Sequence, residues 1–143
     1  MAHVNGYAEL FDLVGVLARK RHQAGERSFA ALGLNQTEAR LLTILEREGG
    51  EATQDSLSGM LFIDRSNAGR GLKRLEHEGY VVRAKDGKDA RTRSVGITLK
   101  GRAAAKQIKR LRNVMAASFF GSLTEEQACA IVELLKSSME VGE

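Results

Sequence analysis

Proline is missing altogether from the 143 residues, so no proline-rich linker divides the chain. No internal repeat or low-complexity tract interrupts it, and the length suits a single domain over 1–143. Cysteine occurs once, at Cys129, which excludes an internal disulfide. Its setting, QACAIVELL, predicts a buried, inert thiol on the apolar side of a helix, and Glu125, Glu126 and Glu133 oppose the thiolate that a redox sensor needs. Histidine is scarce and scattered: His3, His22 and His77 fit no metal-ligand or triad spacing. No glycine-rich loop follows an apolar strand, which leaves a nucleotide site without support. An enzyme is therefore not expected, and neither is a metal or a cofactor. No apolar run approaches the roughly 20 residues that span a bilayer, and Glu9 and Asp12 break the apolar stretch that a secretory leader would require. The expectation is a cytoplasmic protein without membrane contact.

Positive charge, by contrast, is concentrated. Residues 64–112 hold 15 of the 22 Lys and Arg but 5 of the 18 Asp and Glu, a surplus of ten positive charges. The rest of the chain, with 7 basic and 13 acidic residues, is negative by six. Such segregation is the footprint of a phosphate-binding surface.

Hydrophobic spacing supplies the element order. A first helix is predicted over about Val4–Ala24, with Tyr7, Ala8, Phe11, Val14, Leu17 and Ala18 in its apolar stripe and Leu10 and Leu13 widening it. Arg19, Lys20 and Arg21 gather near its C-terminus, where the helix dipole favours cations. Gly25–Gly33 reads as a looser segment with a short helix around Phe29. Asn35 and Glu38 make a capping-box pattern that opens a helix through Ala39, Leu41, Leu42 and Leu45, stopped at Gly49-Gly50. Thr53 caps a short helix expected to bury Leu57, Met60 and Leu61; a joint at Phe62-Ile63-Asp64 leads to a second helix ending at Gly79. Tyr80–Arg83 and Ser94–Thr98 read as strands, with Val95 and Ile97 on one face, around a basic tip carrying Lys85, Lys88, Arg91 and Arg93. Thr98 caps a long helix through Ala103, Ala104, Ile108, Leu111, Met115 and Phe119. Thr124 and Gln127 open a last one carrying Ala128, Ile131, Val132, Leu135 and Met139.

The helix that follows the joint has the two faces a DNA groove requires. At about 100° per residue, Ala68, Leu72 and Leu75 fall within roughly 60° of one another and anchor it, while Ser66, Arg70, Lys73 and His77 lie opposite, flanked by Asn67 and Arg74. Asp64 or Ser66 suits its N-cap. Arg forks onto guanine and Asn pairs with adenine, so Asn67 and Arg70 are candidate base readers. Gly69 and Gly71 each cost about 1 kcal/mol relative to Ala; Gly69 sits beside the polar face, so close approach there to DNA or to the preceding helix is one explanation, a tolerated weak helix the other. The flanking helices carry broad apolar stripes with little of their own chain to cover, which predicts pairing between two chains. A homodimer would set its two recognition helices about 34 Å apart on a near-palindromic site. The expected fold is mostly α with a small β-hairpin wing: a winged helix-turn-helix over 35–101, flanked by dimerisation helices over 1–24 and 102–143. Base-reading residue types at 65–70 favour a sequence-specific regulator of double-stranded DNA over the alternative, a non-specific architectural protein. A repressor is favoured because occluding a promoter needs no further partner surface.

The stretches LGLNQTEARLLTIL at 32–45, Leu57 with Met60-Leu61, and RGLKRLEHEGYVVRAKDGKDARTRSVGITLKG at 70–101 resemble the multiple antibiotic resistance regulator (MarR) family of bacterial transcription factors. The most specific part is the wing and its exit, Asp89, Arg91, Thr98 and Gly101. The resemblance implies a triangular homodimer held by the terminal helices, with Arg65, Ser66, Asn67 and Arg70 facing bases and Lys73 and Arg74 near phosphates. It also implies that Arg91 enters the minor groove with Asp89 fixing its guanidinium; Lys88 and Arg93 are candidate DNA contacts as part of the basic tip. Many members release DNA when a small aromatic or anionic ligand enters a crevice between the dimer helices and the DNA-binding lobe. Phe11, Phe29 and Leu41 are the candidates for lining it here, with Arg19 or Arg21 meeting an anion. Three positions depart from the pattern. Ala90 stands where many members have arginine, Phe62 occupies a joint position that is often small, and no cysteine lies near the N-terminus, which argues against hydroperoxide sensing.

Overall fold

Asn35 opens the central helix as its spacing predicts: its side chain accepts from the Glu38 amide at 2.8 Å, and the Asn35 amide donates to Glu38 Oε1 at 2.8 Å. The computed structural model describes residues 5–84 and 93–141. Along it run α1 (Gly6–Phe29), a 3₁₀ turn (Ala30–Leu32), α2 (Gln36–Arg47), β1 (Glu51–Thr53), α3 (Gln54–Leu61), α4 (Arg65–His77), β2 (Val81–Arg83), β3 (Ser94–Ile97), α5 (Leu99–Phe119) and α6 (Glu125–Val141). Three further N-caps act as the sequence predicts: Thr53 accepts from Ser56, Thr98 from Gly101, and Thr124 pairs reciprocally with Gln127.

The core forms around α2. Leu41, Leu42 and Leu45 are fully buried and meet Leu57 and Leu61 of α3, Leu72 and Leu75 of α4, Val81 and Val95 of the sheet, and Ile108 of α5. At roughly 1.5–3 kcal/mol for each large apolar side chain taken out of water, this cluster is the main force setting α3 and α4 against α2. Gly101 permits α5 to approach the start of β2 closely, because a Cβ there would collide with the Tyr80 carbonyl oxygen.

Four sequence expectations need correction. The helix expected to stop at Ala24 runs on to Phe29. Gly25 is a notch rather than a break: it is buried, and its missing Cβ leaves room for the Gln36 side chain. The predicted hairpin gains a third strand, since β1 pairs with β3 in the order β1-β3-β2, with Ala52 opposite Val95 and Arg83 also opposite Val95. On α5 the buried alanines are Ala104 and Ala105, while Ala103 is exposed. Cys129 is exposed rather than buried, because the helix carrying it packs so little against its own chain.

That last feature extends to both ends of the chain. Tyr7, Phe11 and Val14 of α1, Val114 of α5, and Ile131, Leu134 and Met139 of α6 are exposed apolar side chains. Among the described residues, no helix is long and apolar enough to cross a membrane.

Candidate nucleic-acid interface

Three elements present the site: α3, the joint after it, and α4. Asp64 caps α4, accepting the Asn67 amide at 2.7 Å, and this fixes the helix start among the two alternatives that the sequence offered. Ala68, Leu72 and Leu75 are buried, so the opposite face is committed outward. It carries Arg65, Ser66, Arg70, Lys73 and His77, all exposed, with Asn67 half-buried at its edge. Arg65 is held by Asp55 of α3, Nε to Oδ1 at 2.8 Å, an exposed pair that contributes little to stability but parks the guanidinium beside the helix start.

The two interior glycines have different causes. A Cβ on Gly71 would stand 2.8 Å from Leu41 Cδ1, so Gly71 is where α4 presses on α2. At Gly69 the nearest atom would be the end of the Gln54 side chain, at 3.1 Å. The expected approach to the preceding helix is therefore met only loosely, at Gly69 against Gln54 of α3, whereas Gly71 answers to α2.

Arg74 is placed apart from the outward face. Its Nη2 donates to the Gly33 carbonyl at 2.7 Å, and its Nε lies 2.6 Å from Glu38 Oε2, an ion pair without good hydrogen-bond alignment. Glu38 is only 1% exposed, so Arg74 supplies the countercharge of a buried carboxylate. Among the described residues Lys73 has no such tie. Arg93 sits half-buried at the root of the wing, where its carbonyl accepts the Gln54 amide at 3.1 Å. Lys85, Lys88, Asp89 and Arg91 lie outside the described residues.

Sequence reasoning missed Arg83. It is 15% exposed and donates to Glu76 of α4 at 3.1 Å and to Gln54 of α3 at 3.4 Å, clasping the wing root to both helices. The period-two alternation held the signal: Val81 is buried, Val82 exposed, and Arg83 turns back inward.

Behind the joint lies a cavity of about 390 Å³ between α1, α2, the joint and α5. Arg21 and Phe29, two of the candidates for a ligand crevice, line it. Phe11 and Arg19 are exposed on α1 and do not line it, and Leu41 is buried in the core against Gly71. Arg40, Arg47 and Arg112 complete its basic lining and were not singled out from the sequence. Arg40 and Arg47 are seven apart, two turns on one helix face, but that spacing equally fits a solvated charge stripe. Burial first, and then the charge of Arg21, holds the Arg40 guanidinium below its ordinary pKa.

A family model described as MarR family matches residues 32–92, from the turn before α2 to the wing. A MarR transcriptional regulator from Methanosarcina mazei has the same fold over 94% of this chain and 96% of its own, with a TM-score of 0.83 and 27% identity. The chain belongs to the MarR family. Within it, this transcriptional regulator is 28% identical to the uncharacterised HTH-type transcriptional regulator YkoM of Bacillus subtilis, over 89% of this chain and 84% of that one. A mutant MarR from E. coli, solved in complex with operator DNA, shares the fold at a TM-score of 0.77 and 22% identity, over 96% and 99% of the two chains.

Proposed function

We propose that this MarR-family protein is a ligand-responsive repressor that binds a near-palindromic operator as a homodimer. The observation that carries the reading is α4: a helix pinned by three buried side chains on one face, with Arg65, Ser66, Arg70 and Lys73 exposed on the other. Arg70 has the reach and fork for a guanine edge and Asn67 the amide for an adenine, while Lys73, exposed on the same face, suits a phosphate. The clasp of Arg83 on Glu76 and Gln54 supports a wing that moves with α4, so that groove and flank are contacted together. Lys88, Asp89 and Arg91 remain the proposed wing contacts, Arg91 in the minor groove.

The exposed apolar faces of α1, α5 and α6 support pairing with a second copy, because contiguous apolar surface of this kind marks an interface. Two-fold pairing converts one recognition helix into two, one helical turn apart. Repression follows from occupancy alone. The cavity behind the joint is where a small effector would act, since it touches both the outer helices and the DNA-facing lobe.

Selection of bound fragments from genomic DNA by the purified protein, followed by anisotropy titration at two salt concentrations, tests the reading. One near-palindrome bound at least about 10³-fold tighter than random duplex is expected. Uniform, steeply salt-dependent binding with no motif would instead favour an architectural role. Arg70→Ala should cost about 1–3 kcal/mol on the selected site and relax preference at one base per half-site; equal weakening on every sequence would remove Arg70 from base reading.

A further inference from the structure

Arg65 opens α4, and it differs from the other cations on the outward face of that helix. Its Nε lies 2.8 Å from Asp55 Oδ1, on the first turn of α3. Arg70 and Lys73, also exposed, pair with no carboxylate among the described residues. A second carboxylate stands next to Arg65: Asp64 caps the helix by accepting the Asn67 amide. The start of the recognition helix thus carries two carboxylates where its amides and dipole would otherwise draw a phosphate. The side chains of Arg65 and Asp55 are 57% and 47% exposed, so a duplex on this face would meet both.

A carboxylate on a DNA-facing surface weakens binding to any duplex, and that loss has to be weighed against its effect on Arg65. Phosphate contacts give affinity that falls with salt and carries no sequence information, whereas base edges carry the sequence. An untethered arginine at the first position of the helix is drawn to the backbone by charge alone. Asp55 works against that, because it offsets the charge of Arg65 and repels an approaching phosphate. A guanine edge presents neutral acceptors, which the pair tolerates far better. With Nε facing Asp55, the two terminal nitrogens of the planar fork remain for O6 and N7. Both partners start from fixed points, since Thr53 caps α3 and Asp64 caps α4.

Resting on the DNA-reading function above, we propose that Asp55 is a positioning residue that holds Arg65 off the phosphate backbone and directs its fork to a guanine. Asp55 lowers affinity on every sequence and raises the ratio between operator and random duplex. Specificity at this position is set from α3, outside the recognition helix.

The test compares the full-length protein with Asp55→Asn, Arg65→Ala, the double variant and Asp55→Glu. Anisotropy titrations on the selected near-palindrome, and on a random duplex of equal length, are run over a series of salt concentrations. Asp55→Asn should bind random duplex about threefold to tenfold tighter at the lowest salt, with the slope of log K against log salt steeper by about one per helix engaged. Its ratio of operator to random affinity should fall by about tenfold, and repeating the selection should show one guanine position per half-site relaxed. In the Arg65→Ala background the same substitution should change the ratio by less than about twofold. Asp55→Glu, which keeps the charge, should recover most of the ratio. A lower melting temperature with an unchanged ratio would reduce Asp55 to a partner of the α3 dipole and overturn the proposal. So would a change in ratio that persists without Arg65, since Asp55 would then repel DNA directly. Absence of any preferred sequence for the unsubstituted protein would overturn the DNA-reading function itself, and this proposal with it.

Discussion

Arg74 and Lys73 are neighbours of like charge on the recognition helix, and replacing each by alanine should have opposite consequences. Arg74 gives up two contacts: the charge-assisted bond to the Gly33 carbonyl and the countercharge of Glu38. The first is worth about 1.5–3 kcal/mol. Breaking a fully buried ion pair costs about 3–5 kcal/mol, but the Arg74 side chain is more than half exposed, so solvent replaces part of that. A combined loss of about 3 kcal/mol is expected, out of a total stability on the order of 5–15 kcal/mol. For a chain of this length the melting temperature should fall by roughly 6–12 °C, measured by circular dichroism at one fixed protein concentration. Adding Glu38→Gln to Arg74→Ala should recover about half of that loss, since the amide oxygen still accepts from Asn35 while the buried charge disappears. Lys73→Ala should leave the melting temperature unchanged and reduce the slope of log K against log salt by about one. Arg74→Ala with an unchanged melting temperature and a reduced salt slope would refute the assignment of Arg74 to the fold.

The two glycines of α4 should separate in the same assay. Gly71→Ala overpacks against Leu41 and should destabilise by about 1–2 kcal/mol after its gain in helix propensity, whereas Gly69→Ala meets only the flexible end of Gln54 and should be neutral or stabilising by about 0.5 kcal/mol. Replacing Ile131, Leu134 and Met139 by Ser should give monomers in analytical ultracentrifugation; an unchanged dimer would move the interface off α6. Arg83→Ala should loosen the wing root, seen as faster hydrogen exchange in β2 and β3 with α2 unaffected.

The fold was legible wherever one residue type has one local job. Asn35 with Glu38, Thr53, Thr98 and Thr124 with Gln127 all cap helices as their spacing requires, and Ala68, Leu72 and Leu75 point inward as their period requires. Reading failed where a distant partner decided the outcome. Gly25 looked like a helix break because nothing local shows that Gln36 fills the space beside it. Glu51-Ala52-Thr53 is too short to announce a strand and becomes one only because β3 has a free edge. On the site, the outward face of α4 followed from geometry. Arg74 could not be separated from Lys73, and Arg40, Arg47 and Arg112 could not be brought together, because each depends on which helix lies opposite.

A helix-turn-helix is usually pictured as two helices aimed by the joint between them. Here α2 grips both: Arg40 holds the end of α3, Glu38 holds Arg74 of α4, and Leu41 lies against Gly71. The angle of the recognition helix is therefore splinted from behind, and the joint is relieved of setting it. Sequence in that joint is free to drift toward residues such as Phe62 that would be poor hinges, while change in α2 re-aims the outward face of α4 without altering a residue on it.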